Sequence, residues 1–232
     1  MTRQHAGKGQ TKMGNTDSRL YTLGREAARG LLEISAVYLR PDEPFVWASG
    51  IKSPIYCDNR LTLTAPAVRT VIENGICEII KTHYPDAQLL MGTSTAGIPH
   101  AAICGHLLGL PMGYVRSSAK DHGRANRIEG KLEKGQKTVV IEDLISTAGS
   151  AVETAEALRE AGADVLGIAS IFTYGMKKGL ERLEAAGLTN VSLTCFDTVC
   201  EEAAACGYIS ESDIARLKAF RDDPSDESWI KR

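Results

Sequence analysis

Residues 139–150 read VVIEDLISTAGS. Val139 to Ile141 belong to an apolar, β-branched run that starts at Lys137 (KTVVIE, 137–142), and such a run reads as a buried strand. Two acids, Glu142 and Asp143, end it. Small residues then lead into SAVETAEALREAG (150–162), an amphipathic helix that Gly162 closes. Strand, small-residue turn and helix in that order predict one half of a βαβ unit. In an open parallel sheet, ligands bind beyond the carboxyl ends of the strands. The turn of Ser146, Thr147, Ala148 and Gly149 lets backbone approach a ligand. Amides at a helix N-terminus carry partial positive charge and favour phosphate, and the hydroxyls of Thr147 and Ser150 add donors. The two acids would repel that phosphate, so they must face something else. Vicinal sugar hydroxyls, or a divalent cation held through oxygen ligands, would suit them. A sugar phosphate satisfies both halves of the stretch. Neither GxxxxGK[ST] nor GxGxxG is present. Taken alone, the segment also fits an ordinary strand-to-helix connection with solvated acids.

The alternation extends outward in both directions. Strands are expected at 88–93, 111–115, 164–172 and 190–196. Helices are expected at 66–83, 98–108, 177–187, 199–205 and 211–221, the first of them opened by Pro66 where no amide donor is needed. Upstream, apolar residues recur at helical spacing from Ser18 to Leu39, with Asp17 or Ser18 as N-cap and with Pro41 and Pro44 ending the helix. The pattern predicts an α/β fold with a mostly parallel sheet flanked by helices. Residues 1–16 (MTRQHAGKGQTKMGNT) are polar and without period, and read as a disordered extension with Met13 as a later start. Residues 17–232 are expected to form one domain.

Composition narrows the function classes. A net charge of −2 gives no global pull toward nucleic acid or an anionic membrane surface. No apolar run approaches the ~18 residues of a membrane span, and no leader pattern opens the chain, so a cytoplasmic protein is expected. The six cysteines form no CxxC pair, which argues against a zinc site.

Two further segments carry chemistry. RSSAKDHGRANRIEG (116–130) holds Arg116, Lys120, His122, Arg124 and Arg127, with Gly123 and Gly130 as hinges. A mobile basic loop of this kind would close over a leaving group and neutralise its charge. No aromatic residue interleaves the charges, which weakens a reading as a single-strand nucleic-acid site. MGTSTAGIPH (91–100) sits between a strand and a helix and reads as a second anion cradle. Two cradles and one cationic loop imply a ligand with two separate phosphate groups. His100 and His106, on the helix that follows, read as packing or surface side chains, and His83 as a helix-end cation.

These residues resemble a known family. VVIEDLISTAGS resembles the phosphoribosyl pyrophosphate motif of the type I phosphoribosyltransferases. RSSAKDHG resembles the flexible loop of the orotate phosphoribosyltransferase branch, and FVWASGIKSPIYCDNRLTL (45–63) its orotate-binding segment. The likeness covers roughly Leu20 to Asp223. It implies the type I fold with a small N-terminal hood, built from about 17–63 and part of the C-terminal region. It implies Mg²⁺-dependent transfer of 5-phosphoribosyl from phosphoribosyl pyrophosphate to orotate, giving orotidine 5′-monophosphate and pyrophosphate in pyrimidine biosynthesis. Carried over by position, Glu142 and Asp143 would meet the ribose hydroxyls. Leu144, Ile145, Ser146, Thr147, Ala148, Gly149 and Ser150 would form the 5′-phosphate turn. Thr93, Ser94, Thr95 and Ala96 would hold pyrophosphate. Arg116, Lys120 and His122 would be the catalytic groups of the loop, which in this family reaches across from the partner of a homodimer. Ser49, Gly50, Tyr56, Cys57 and Ser146 would line the orotate side. The resemblance implies that substrate holds most of the Mg²⁺ shell, with Asp143 nearest it. The chain departs from many members at Ala48, Ala96 and Ser117, where they carry lysine. After strand 164–172 some members place an arginine where Thr173 and Tyr174 stand here, and Lys52 is a candidate to compensate.

Two other readings share parts of this pattern. A purine or xanthine phosphoribosyltransferase would share the donor site but need a different hood. A nucleotide-sensing regulator that binds RNA or DNA would need a basic face, and the acidic C-terminus (Asp222, Asp223, Asp226, Glu227) runs against one.

Overall fold

The computed structural model describes residues 15–47, 50–117 and 127–231. Its centre is a six-stranded sheet in the order β10-β9-β8-β5-β6-β7. The strands are β5 (Leu89–Thr93), β6 (Met112–Val115), β7 (Ile128–Glu129), β8 (Lys137–Ile145), β9 (Asp164–Thr173) and β10 (Asn190–Cys195). All pairings are parallel except β6 with β7. The crossovers are the helices that the amphipathic stretches predict. They are α2 (Pro66–His83), which leads into β5, α3 (Gly97–Leu108), α4 (Gly149–Glu160) and α5 (Lys177–Ala185). After β10 come α6 (Phe196–Ala205) and α7 (Glu211–Asp222). α6 begins three residues earlier than its sequence pattern suggests.

Two cores result. On one face, β5, β8 and β9 pack against α2, α3 and the N-terminal helix α1 (Asn15–Glu33) through Leu31, Ile72, Ile76, Leu90, Ile141 and Ile171. On the other face, Val140 and Ile168 pack against α4 and the end of α5 through Ala151, Ala155, Leu158 and Leu183. β8 is apolar on both sides because it has a layer on each, which is why its sequence does not alternate. The direction in which the strand order grows reverses between the parallel neighbours β5 and β8. From β5 the sheet grows one way to β6, and from β8 the other way to β9. Ligands are expected at the carboxyl ends flanking such a switch point.

The N-terminal segment corrects one expectation. α1 starts at Asn15, inside the stretch read as an extension, and ends at Glu33, not at Leu39. Ser35 takes a left-handed φ of 57°. The amide of Ala36 donates to Leu31 O at 2.9 Å and that of Ser35 to Leu32 O at 3.0 Å. This pair of bonds is a Schellman stop, with serine in the position usually held by glycine. Freed from the helix, Val37–Leu39 becomes β1 and pairs antiparallel with β4 (Ile55–Cys57), Tyr38 opposite Tyr56. The strands β2 (Phe45–Val46) and β3 (Lys52–Ser53) form a second small hairpin.

The C-terminus closes over these strands. Arg216 of α7 donates to Pro41 O at 2.7 Å, to Trp229 O at 3.1 Å and to the Asp42 and Asp213 carboxylates at 2.7 and 2.9 Å. Lys52 Nζ meets Glu227 at 2.8 Å, and Trp47 lies edge-on to Phe220. Arg216 is 9% exposed, so truncating it would leave two carbonyls unpaired. Arg216→Ala is expected to lower unfolding stability by about 2–4 kcal/mol. Urea denaturation at neutral pH checks this; a loss under about 1 kcal/mol would show that water replaces the clamp. No described helix is long and apolar enough to cross a membrane.

Candidate functional site

A cleft of about 410 Å³ opens at the switch point. Its walls are the turn after β5, the end of β8 with the turn that follows, and the 3₁₀ segment Asn59–Thr64 after β4. The acid pair sits in the wall, but not at the end of its strand. β8 runs three residues past Glu142, to Ile145 opposite Thr173 of β9. The ligand-facing turn is therefore Ser146 to Ala148, and α4 starts at Gly149.

The two acids have different environments. Glu142 is 4% exposed. Its Oε1 accepts from Thr93 Oγ1 at 2.6 Å and from the Asp143 amide at 3.0 Å, and its Oε2 accepts from Ser150 Oγ at 3.0 Å. It thus ties the end of β5 to the start of α4. Burial, then the adjacent Asp143 carboxylate, pushes its carboxyl up to about 8. Asp143 is half-buried and lines the cleft. Its carbonyl oxygen accepts from Asn59 Nδ2 at 2.7 Å, which fastens the segment after β4 to β8. The Ser150 hydroxyl, read above as a phosphate donor, is spent on Glu142.

A raised carboxyl has a definite linkage sign. Between about 4.5 and about 8 the folded chain holds a proton on Glu142 that the unfolded chain has lost. Its share of stability is present below 4.5 and is lost as pH rises through 8, with a slope of at most about 1.4 kcal/mol per pH unit. Urea midpoints from pH 5 to 8 should fall for the ligand-free protein, and Glu142→Gln should flatten the fall. Equal slopes in both proteins would remove Glu142 from the titration.

The turn after β8 is shaped from behind. Ala148 adopts φ 57°. The Thr147 carbonyl accepts from Arg182 Nη1 at 3.1 Å. Ile145 and Ala148 are buried, so their side chains serve the core and only their backbone is available to a ligand. Ser146, Leu144 and Ser150 line the cleft. Gly179 of α5 packs directly on the Ser146 carbonyl.

The opposite cradle is equally local. Ser94 Oγ donates to Val115 O at 2.7 Å, and the Ser94–Thr95 peptide is cis. Thr93 is buried on Glu142, while Ser94, Thr95 and Ala96 line the cleft. Ala96 caps α3 without a side-chain bond, the Ile98 amide donates to Thr95 O at 3.4 Å, and Pro99 brings no N–H to the first turn. His100 is packing: it is buried, with Nδ1 2.7 Å from Glu73 Oε1. His106 is exposed.

On the base side, Cys57 lines the cleft, its thiol pushed up by burial and donating to Asn59 Oδ1 at 3.3 Å. Tyr56 is 43% exposed, its ring 5.7 Å from Phe45. Gly50 closes the β2–β3 hairpin at φ 84° and does not line the cleft. Tyr174 is buried among Trp47, Phe172 and Phe196. Thr173 caps the turn behind Ile145. Lys52 is spent on Glu227. Arg116 stands at the base of its loop, its amide donating to Arg127 O at 2.8 Å and its guanidinium 3.7 Å from Glu129; it does not line the cleft. Lys120, His122, Ala48 and Ser49 lie outside the described residues. Asp58, Asn59 and Arg60 are the cleft residues that the sequence reading did not single out. Their signal, CDNR directly after the last hood strand, was on view but had no period or spacing to mark it.

Comparison with known proteins agrees with this geometry. The chain matches no protein-family model. It is 55% identical over 206 residues to an orotate phosphoribosyltransferase of Bacillus cereus (strain G9842), covering 89% of this chain and 98% of that one. Among solved structures, an orotate phosphoribosyltransferase from Aeropyrum pernix superposes with a TM-score of 0.68 at 30% identity, over 79% of this chain and 99% of that one. A Leishmania donovani UMP synthase superposes with a TM-score of 0.73 at 26% identity, over 85% of this chain and 42% of that longer one. With more than half of the aligned residues identical along nearly the whole length of the Bacillus enzyme, and with the type I sheet and its two turns in place, the chain belongs to the orotate phosphoribosyltransferase family.

Proposed function

We propose that the cleft binds phosphoribosyl pyrophosphate and orotate and transfers the 5-phosphoribosyl group to the orotate nitrogen, releasing pyrophosphate. One observation carries this reading. Two turns of small residues, after β5 and after β8, flank the acids Glu142 and Asp143 at the switch point of a parallel sheet. The turn 145–150 takes the 5′-phosphate, the turn 93–96 the pyrophosphate, and Asp143 with Glu142 the ribose hydroxyls. Glu142 reaches the sugar only by exchanging a bond to Thr93 or Ser150, so Asp143 is the primary hydroxyl acceptor.

The chemistry needs no covalent nucleophile. The bond from sugar to pyrophosphate breaks ahead of full attack, and negative charge collects on the leaving group. Lys120, Arg116 and His122 stabilise that charge when the loop 116–130 closes, reaching the partner's site in a homodimer. The base nitrogen is held on the opposite face at near-attack distance. The donors at the sugar side are all oxygens, and the Asp143 carboxylate faces the cleft, which suits Mg²⁺. That ion, held mainly by substrate with Asp143 the nearest protein carboxylate, would supply charge neutralisation at the pyrophosphate. The segment 17–63 with part of the C-terminal region acts as the hood, a reading supported by the Arg216 clamp and the Lys52–Glu227 pair. The enzyme works in the cytoplasm.

The test is direct. Orotate absorbance is followed on adding phosphoribosyl pyrophosphate and Mg²⁺, with adenine, hypoxanthine and xanthine as control bases. Loss of the orotate signal alone is expected. Consumption of a purine and not of orotate would overturn the assignment.

A further inference from the structure

Orotate carries a carboxylate, and the cleft that would take it is acid-rich. Asp58, Glu142 and Asp143 all line it. Among the described lining residues, Arg60 is the one cation. The other basic candidates among the described residues are placed elsewhere, Lys52 on Glu227 and Arg116 at the base of its loop. Tyr174 is uncharged and buried. An anionic base entering this cleft therefore meets the Asp58 and Asp143 carboxylates and needs a counter-charge.

Arg60 is built to be that counter-charge. Asp58 caps the 3₁₀ segment by accepting from the Arg60 amide at 3.1 Å. The same carboxylate grips the guanidinium side-on, Oδ1 accepting from Nε and Oδ2 from Nη2, both at 2.7 Å. Asn59, between them, is bonded to the Asp143 carbonyl. The fork is thus anchored to backbone at one end and registered on the catalytic strand. A guanidinium has five N–H donors, and this grip on the side chain uses two. The end-on edge formed by Nη1 and Nη2 keeps two parallel N–H groups, the geometry that matches a carboxylate. The Arg60 side chain is 66% exposed, so this edge is reachable. The phosphates of the donor have their own amide cradles on the other walls.

We propose that Arg60, held on Asp58, receives the carboxylate of the acceptor base and makes this site specific for an anionic pyrimidine. The proposal rests on the reading of the cleft as an orotate site. Arg60 is a specificity-determining residue, and Asp58 positions it.

The experiment compares wild type, Arg60→Gln and Arg60→Lys. KM is measured for orotate and for phosphoribosyl pyrophosphate. Competitive inhibition against orotate is measured with orotamide, in which a neutral carboxamide replaces the carboxylate. Arg60→Gln should raise the orotate KM by about 10–100-fold, the loss of a charge-assisted bidentate pair, and leave the donor KM within about twofold. Arg60→Lys should recover only part, since lysine keeps the charge without the fork. Orotamide should inhibit the wild type weakly and both variants about equally. A rise in donor KM instead, or an unchanged preference for orotate over orotamide, would overturn the proposal. If wild type itself fails to consume orotate, it is the reading of the site that fails. Circular dichroism of each variant confirms folding, and Asp58→Asn provides a second arm. It keeps the guanidinium but loosens it, and should raise the orotate KM by a smaller factor.

Discussion

Replacing Lys120 by alanine is expected to lower kcat by about 10²–10³-fold, with only a modest loss of affinity for phosphoribosyl pyrophosphate. The reasoning is electrostatic. Charge on the pyrophosphate grows as the bond to the sugar breaks, so a cation aimed at it binds the transition state more tightly than the ground state. The cleft itself supplies no lysine among its described lining residues. Ala96 and Ser117, beside the cleft and at the base of the loop, are uncharged, so the burden on Lys120 is heavier. Steady-state kinetics with saturating orotate and Mg²⁺ measures the effect, and a variant that turns over like wild type would take Lys120 out of the mechanism. Mixed dimers address where the loop acts. A Lys120→Ala chain paired with an Asp143→Asn chain has one site with both groups intact if the loop crosses to the partner. Activity should then return on subunit exchange. Hybrids that exchange fully and stay inactive would place each loop over its own cleft.

Gly179→Ala is expected to lower kcat/KM for phosphoribosyl pyrophosphate by about 10²-fold, although Gly179 touches no substrate. A Cβ there would drive into the Ser146 carbonyl, with the Ser146 carbonyl carbon at 3.3 Å and Thr147 Cα at 3.5 Å. These are backbone atoms of the phosphate turn, so no flexible side-chain tip can give way. The turn must move instead, and its amides leave the phosphate position. Stability should change less than activity. Overpacking costs about 1–3 kcal/mol, while alanine in a helix gains up to about 1 kcal/mol over glycine. Thermal unfolding alongside donor KM separates the two effects. An unchanged donor KM would show that α5 can slide away from the turn.

Much of this site was legible in the linear chain. The β-branched run at 138–141, the acids after it and the STAGS turn each report a local physical demand: burial on two faces, polar groups bordering a cleft, and room for backbone to approach a ligand. Those demands are met within about a dozen neighbours, so the pattern carries them. The helix boundary at Glu33 was not legible, because its stop uses Ser35 in a left-handed conformation and not a glycine. The strand value of Val37–Leu39 exists only once β4 lies beside it. Arg60 was passed over for the same reason, since its importance comes from facing a cleft built by residues more than thirty positions away.

The amino-acid order by itself determined the alternation of buried strands and amphipathic helices, the parallel sheet, and the small-residue turns after β5 and β8. Periodicity and turn chemistry are short-range and survive in one dimension. Only the tertiary structure decided that Glu142 is a buried tether while Asp143 faces the cleft, through contacts to Thr93 and Asn59 that lie 49 and 84 residues away from them in the chain. A carboxylate's role depends on its solvation and its partners, and both are set by what the fold brings next to it.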